Sequence, residues 1–177
     1  QKIVEHFEYH TQIQVSLFVT HNSASGVIEL GKKKRLPVLL ISKSQVTDGQ
    51  YLVDILAAHK VDCIVLAGYI KYIPQELVLA YQGKMLNIHP SLLPKYGGKG
   101  MYGMKVHEAV HAAQEKKSGM SIHYVNEVYD EGEIIFQAEV LLDSAWTPKD
   151  IQQAVLSLEH KHYPRIIEQV CKTYLPK

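Results

Sequence analysis

Cysteine and long apolar runs are both scarce in this chain. Only Cys63 and Cys171 occur among its 177 residues. Their wide separation offers neither a disulfide framework nor the close spacing of a cysteine-ligated metal site. No stretch reaches the roughly 18 apolar residues of a membrane-spanning helix. We therefore predict a cytoplasmic protein that does not bind a membrane.

An excess of charge of either sign is also missing. The sequence has 19 basic and 18 acidic residues, a net charge of +1. It lacks the basic excess with which proteins hold nucleic acid, and we predict no such partner. The one basic run, residues 32–35, is typical of a solvated helix end. His107 and His111 have the i, i+4 spacing of a metal site, but no third ligand accompanies them, and we predict no metal.

Short apolar runs alternate with helical periodicity along the sequence. The length fits one domain, which we assign to residues 1–177. Strands are predicted at residues 15–20, 37–42, 62–67, 85–89, 120–125 and 134–142. Helices are predicted at residues 2–9, 24–34, 49–59, 74–81, 105–115 and 147–170, with a kink or interruption at Pro164. This order predicts a doubly wound, mostly parallel α/β sheet with an antiparallel extension at one edge.

The first predicted helix, residues 2–9, has no strand before it. A doubly wound fold normally opens with a strand and a glycine-rich turn that leads into the first helix and binds phosphate. We expect that strand and loop to precede residue 1. The alternative is a helix that opens the fold by itself.

Asn87 and His89 end the predicted strand 85–89. Residues two apart in a strand point to the same side, and ligands of doubly wound folds bind at the carboxyl ends of the strands. An amide and an imidazole held together can stabilise an oxyanion, to which one well-placed donor contributes about 3 kcal/mol. The plainer interpretation is a polar strand end. The composition of the following loop favours a functional role for this pair, because the loop has two prolines in residues 90–96 and four glycines in residues 97–103.

Residues 87–96, NIHPSLLPKY, resemble the signature of the glycinamide ribonucleotide transformylases, also called phosphoribosylglycinamide formyltransferases. Residues 65–69, 121–125, 130–132 and 158–160 resemble further stretches of this family. The resemblance covers essentially the whole chain and implies a Rossmann-like formyltransferase fold. It also implies transfer of the formyl group of 10-formyltetrahydrofolate, as co-substrate, to the amine of glycinamide ribonucleotide in purine biosynthesis.

The same resemblance assigns roles to individual residues. The implied catalytic residues are Asn87, His89 and Asp130, supported by His123 and Ser121. The acceptor substrate is expected at Gly68, Tyr69, Ile70, Pro90 and Glu159, the last of which holds the ribose hydroxyls. The folate is expected at Lys71, Tyr72, Ile73, Val125, Asn126, Tyr129 and Asp130. Lys71 stands where the family commonly has arginine, and Gly97-Gly98 stand where it often has Pro-Gly.

In the mechanism these residues permit, Asn87 donates to the oxyanion of a tetrahedral intermediate. Protonated His89 adds positive charge and acts as general acid. We expect Asp130 to raise the pKa of His89. The alternatives are a methionyl-tRNA or sugar formyltransferase, a formyltetrahydrofolate hydrolase and a non-catalytic binding module. A monomer and a homodimer both fit the sequence.

Overall fold

The computed structural model describes residues 1–175 and contains every predicted helix and strand. The helices are α1 (Lys2–Phe7), α2 (Gly26–Lys34), α3 (Gly49–Ala58), α4 (Gln75–Ala80), α5 (Met104–Ala112) and α6 (Pro148–Lys172). The strands are β1 (Phe18–Thr20), β2 (Val38–Leu40), β3 (Ile64–Leu66), β4 (Met85–His89), β5 (Lys117–Tyr124) and β6 (Ile134–Leu141). A short 3₁₀ helix, Gln45–Thr47, has no counterpart in the prediction.

The strands pair in two groups, which confirms the predicted α/β fold with an antiparallel extension. β1 and β2 pair in parallel, and the second group has the order β3-β4-β5-β6. β3 and β4 are parallel, whereas β4, β5 and β6 pair antiparallel. β1 is shorter than the predicted strand 15–20, because only Phe18–Thr20 find ladder partners on β2.

β4 lies between two apolar cores and thereby fixes the position of the residues at its carboxyl end. Successive strand side chains point to opposite faces. Met85 packs in one cluster with Leu52, Leu56 and Leu77 from α3 and α4. Leu86 packs in the other with side chains of α5, α6 and β5. Both residues are essentially inaccessible, so β4 is held from both sides.

α6 begins as the sequence predicts. Thr147 accepts a hydrogen bond from the Asp150 N–H, and the Asp150 carboxylate accepts one from the Thr147 N–H. The interruption considered at Pro164 does not occur, because the helix continues through it to Lys172. Pro164 and its neighbours Tyr163 and Ile166 are buried, and their packing offsets the lost backbone hydrogen bond.

Within residues 1–175, none of the helices is both long and apolar enough to cross a membrane.

Candidate active site

A cavity of about 520 Å³ opens beyond the carboxyl ends of β3 and β4. Its volume is in the range typical of small-molecule sites. The predicted site residues that line it are Gly68, Tyr69, Ile70, Lys71, Tyr72, Ile73, Asn87, His89, Pro90, His123, Val125, Asn126, Tyr129, Asp130 and Glu159. The structure therefore brings together every residue predicted for the site except Ser121.

Asn87 and His123 form the hydrogen-bonded floor of the site. The His123 Nδ1 lies 2.8 Å from the carbonyl oxygen of Tyr124, so Nδ1 carries the proton and Nε2 is left as an acceptor. The Asn87 amide nitrogen lies 3.1 Å from that Nε2 and donates to it. The second proton of the same amide has only a 3.5 Å contact with the Asp130 Oδ1. Asn87 is thus held in one orientation and retains a weakly engaged donor.

His89 is contacted at both ring nitrogens. Its Nε2 donates to the carbonyl oxygen of Tyr96 at 2.7 Å, and its Nδ1 lies 3.4 Å from the Asp130 Oδ2. Burial lowers the pKa of His89 below its ordinary 6.5, although the charge of Asp130 and the Tyr96 carbonyl act in the opposite direction. Asp130 therefore raises this pKa as expected, but desolvation outweighs its effect. A proton added to His89 goes to Nδ1, facing Asp130.

Asp130 occupies a left-handed backbone conformation with φ of 57°, in the turn between β5 and β6. Its Oδ2 accepts a hydrogen bond from the backbone N–H of Gly98 at 2.9 Å, which ties this turn to the glycine-rich loop. Burial raises the pKa of Asp130, but the charge of His89 and the hydrogen bond from the Gly98 N–H act in the opposite direction, and the pKa stays below its ordinary 3.8. The carboxylate is therefore charged at neutral pH.

Ser121 supports the site from outside the cavity. It is fully buried on β5, and its hydroxyl donates to the carbonyl oxygen of Ser91 at 2.7 Å. The same hydroxyl accepts hydrogen bonds from the Leu93 N–H at 2.9 Å and from the Gln137 side chain at 2.8 Å. These contacts fix the segment that follows His89.

The two walls of the cavity differ in character. On one side, Tyr72, Val128 and Tyr129 expose between 37% and 51% of their surface, and the two tyrosine rings meet edge to face at 5.7 Å. Such a surface suits a flat aromatic ligand. On the other side α6 contributes Glu159, whose pKa burial raises to about 7.

The structure adds site residues that sequence reasoning did not assign. Residues 98–103 of the glycine-rich loop line the cavity, although only the composition of this loop drew attention to it. His107 also lines the cavity and is 3% exposed, while His111 on the same helix is exposed. Their i, i+4 spacing therefore does not join them in one site. Within residues 1–175, no three His, Cys, Asp or Glu side chains cluster in a way that could hold a metal ion.

The chain belongs to the formyl transferase family, whose model matches residues 1–167. It is 43% identical to the chloroplastic phosphoribosylglycinamide formyltransferase of Arabidopsis thaliana over 163 residues, which are 89% of this chain and 56% of that protein. It is 34% identical to the phosphoribosylglycinamide formyltransferase of Bacillus subtilis over 167 residues, or 92% of this chain and 83% of that protein.

The fold is also similar to a solved structure, glycinamide ribonucleotide transformylase 1 of Geobacillus kaustophilus. The TM-score is 0.86 at 28% identity, over 96% of this chain and 90% of that one. The chain spans about half the length of the plant relatives it matches. Because those relatives carry chloroplastic names, the cytoplasmic location stays a prediction.

Proposed function

We propose that this chain transfers the formyl group of 10-formyltetrahydrofolate to the amine of glycinamide ribonucleotide in purine biosynthesis. The observation that carries this proposal is the meeting of Asn87, His89 and Asp130 in one cavity, whose lining also includes the exposed rings of Tyr72 and Tyr129 and the carboxyl group of Glu159. The relatives named phosphoribosylglycinamide formyltransferase support the same reaction. We further infer that residues 1–177 form one formyltransferase domain acting on small molecules, as a monomer or homodimer.

The walls of the cavity suit the two substrates. The exposed apolar surface of Tyr72 and Tyr129 fits the flat pterin ring of the folate, and Lys71, Ile73, Val125 and Asn126 extend that wall. Gly68, Tyr69, Ile70, Pro90 and Glu159 line the part proposed for the acceptor. The acceptor amine attacks the formyl carbon of the bound folate. The bond from that carbon to the folate nitrogen then breaks, and the proton that the amine loses is returned to the departing nitrogen. Asp130 belongs both to the catalytic residues and to the surface proposed for the folate.

The residues of the chain stabilise the charge that this attack creates on the formyl oxygen. Asn87 donates its weakly engaged amide proton, in an orientation fixed by His123. His89 adds positive charge when Nδ1 gains a proton, and the Asp130 carboxylate stabilises that charge. The general-acid role of His89 stays a prediction, since Nε2 is bonded to the Tyr96 carbonyl.

The direct test is an assay for formylated glycinamide ribonucleotide with the full chain and both substrates. We expect product from the unaltered protein and a fall in kcat of about 10²-fold or more in Asn87→Ala, His89→Ala and Asp130→Asn. His111→Ala, which changes an exposed histidine, serves as the matched control and should retain full activity. A folded preparation that forms no product contradicts the proposal, and formate release without an acceptor indicates a hydrolase instead.

A further inference from the structure

The hydrogen bond that fixes the ring of His89 comes from a residue in an unfavourable backbone conformation. The His89 Nε2 donates to the carbonyl oxygen of Tyr96 at 2.7 Å. Tyr96 has φ of 57°, in the left-handed region that residues other than glycine rarely adopt. Such a conformation persists only where surrounding contacts hold it. The direction of the Tyr96 carbonyl, and with it the tautomer of His89, therefore depends on the contacts that hold Tyr96.

Glu115 supplies such a contact. Its Oε1 accepts a hydrogen bond from the Tyr96 hydroxyl at 2.9 Å and another from the Lys95 Nζ at 2.8 Å. One carboxylate oxygen thus binds two consecutive residues. The Ser91 hydroxyl in turn donates to the carbonyl oxygen of Lys95 at 2.6 Å. Tyr96 is therefore held at the end of its ring, and the peptide group that precedes it is held at its oxygen.

The carboxylate of Glu115 has a fixed base and a fixed charge. Glu115 lies between α5 and β5, and its N–H donates to the carbonyl oxygen of Val110, a residue of α5 that is 2% exposed. Hydrogen bonds from Lys95 and Tyr96 lower the pKa of Glu115 below its ordinary 4.5, so the group is charged at neutral pH. These three side chains line a second cavity, of about 320 Å³, separate from the active-site cavity. Glu115 therefore reaches the reacting groups through the loop and not by contact with a substrate.

We propose that Glu115 is a positioning residue for His89, which it holds through the ring and backbone of Tyr96. This inference rests on the proposed function, which makes His89 a catalytic residue. The Tyr96 carbonyl binds the Nε2 proton and leaves Nδ1, which faces Asp130, as the nitrogen that gains a proton. Burial lowers the pKa of His89, and the charge of Asp130 and the Tyr96 carbonyl act against it. Loss of the anchor at Glu115 should therefore reduce the positive charge that His89 brings to the oxyanion.

The kinetic test compares Glu115→Ala and Glu115→Gln with the unaltered protein. Alanine removes the acceptor of the Tyr96 hydroxyl, and we expect kcat to fall about tenfold. The KM for each substrate should change by less than about twofold, because Glu115 contacts neither. Glutamine keeps an oxygen that accepts from the hydroxyl and should restore most of kcat. Glu139→Ala is the matched control, since it also removes one partner of a lysine ion pair, that with Lys117 at 2.7 Å, and it should leave kcat unchanged.

NMR titration of the His89 ring distinguishes positioning from a general loss of structure. In Glu115→Ala we expect a lower pKa of His89 than in the unaltered protein, and a weaker preference for the tautomer with its proton on Nε2. Tyr96→Phe keeps the ring and should reproduce both changes. The double variant should be little slower than either single variant, because both changes remove the same hydrogen bond. Thermal unfolding checks that each variant is folded.

Four results overturn the role of Glu115 alone. They are an unchanged His89 titration in Glu115→Ala, additive losses of kcat in the double variant, a Glu115→Gln variant as slow as Glu115→Ala, and an equal fall of kcat in Glu139→Ala. Absence of turnover by the folded, unaltered protein instead overturns the proposed function, and the inference with it.

Discussion

Two carboxyl groups of the cavity, those of Asp130 and Glu159, have pKa values shifted in opposite directions, and their neighbours explain the difference. Asp130 accepts a hydrogen bond from the Gly98 N–H and faces His89, so its pKa is lowered despite burial. For Glu159, burial is the cause that moves the pKa, and it raises the value to about 7. Asp130 is therefore a fixed negative charge, while Glu159 changes its charge near neutral pH.

This difference makes the contribution of Glu159 to stability depend on pH. Its pKa rises from an ordinary 4.5 to about 7 on folding, so the folded state holds a proton that the unfolded state has lost between these values. The contribution of Glu159 to stability is thus greatest below about pH 4.5 and is lost as the pH rises through 7. Urea unfolding should show Glu159→Gln more stable than the unaltered protein at pH 8, by up to about 3 kcal/mol, and equally stable near pH 4.5. An equal difference at both pH values would contradict this account.

At the scale of elements, the hairpin of β5 and β6 places Asp130 and depends on close backbone approach. A β-carbon on Gly119 would lie 2.0 Å from the Ala138 carbonyl oxygen. One on Gly132 would lie 1.7 Å from the Tyr124 carbonyl oxygen. The ladder also shifts register between Ile122 and His123, beside the turn that carries Asp130. The glycines therefore permit the strand spacing on which the position of the carboxylate depends.

Gly132→Ala should consequently disturb both stability and catalysis. The added methyl group forces Tyr124 and the turn apart. We expect this to lower the free energy of unfolding, measured in urea, by about 1–3 kcal/mol. We also expect a lower kcat, because Asp130 moves with the turn. Gly26→Ala is the matched control, since its β-carbon meets no atom within 4 Å. If the two variants behave alike, the close approach at Gly132 does not matter to the hairpin.

At the scale of the whole molecule, α6 connects β3 and β4, whose ends carry the site, to the apolar core that contains Leu86. Tyr163 of α6 donates its hydroxyl proton toward the carbonyl oxygens of Leu66, at the end of β3, and Leu86, in β4. The same helix supplies Ile151, Val155, Ile167 and Val170 to the core and Glu159 to the cavity. One helix therefore connects core packing with the geometry of the strand ends.

Tyr163→Phe tests this connection with a minimal change. It leaves buried carbonyl oxygens without their side-chain partner and should lower the free energy of unfolding by about 1–2 kcal/mol in urea titrations. Tyr9→Phe, at a residue that is 90% exposed, should stay within about 0.5 kcal/mol of the unaltered protein. A Tyr163→Phe variant as stable as Tyr9→Phe would show that the hydroxyl does not hold α6 to the strands.

Much of the fold was predictable because its signals are local. The apolar runs predicted each strand, and Thr147 with Asp150 predicted the start of α6. The strand 85–89 was predicted with its observed bounds, so Asn87 and His89 were placed correctly at its end. The interruption predicted at Pro164 was wrong. Pro164 is buried with the core residues of α6, and this packing compensates for the backbone hydrogen bond that proline cannot donate. The catalytic, acceptor and folate roles came from the resemblance of the chain to the transformylase family and stay predictions.

The sequence by itself determined which elements form and which side chains end β4, because periodicity and capping depend on residues close in the chain. Only the tertiary structure decided that desolvation outweighs Asp130 in the pKa of His89, and that both ring nitrogens of His89 are engaged. It also decided that His107 enters the cavity while His111 faces outward. These properties depend on burial and on contacts between residues distant in sequence, which local patterns do not encode.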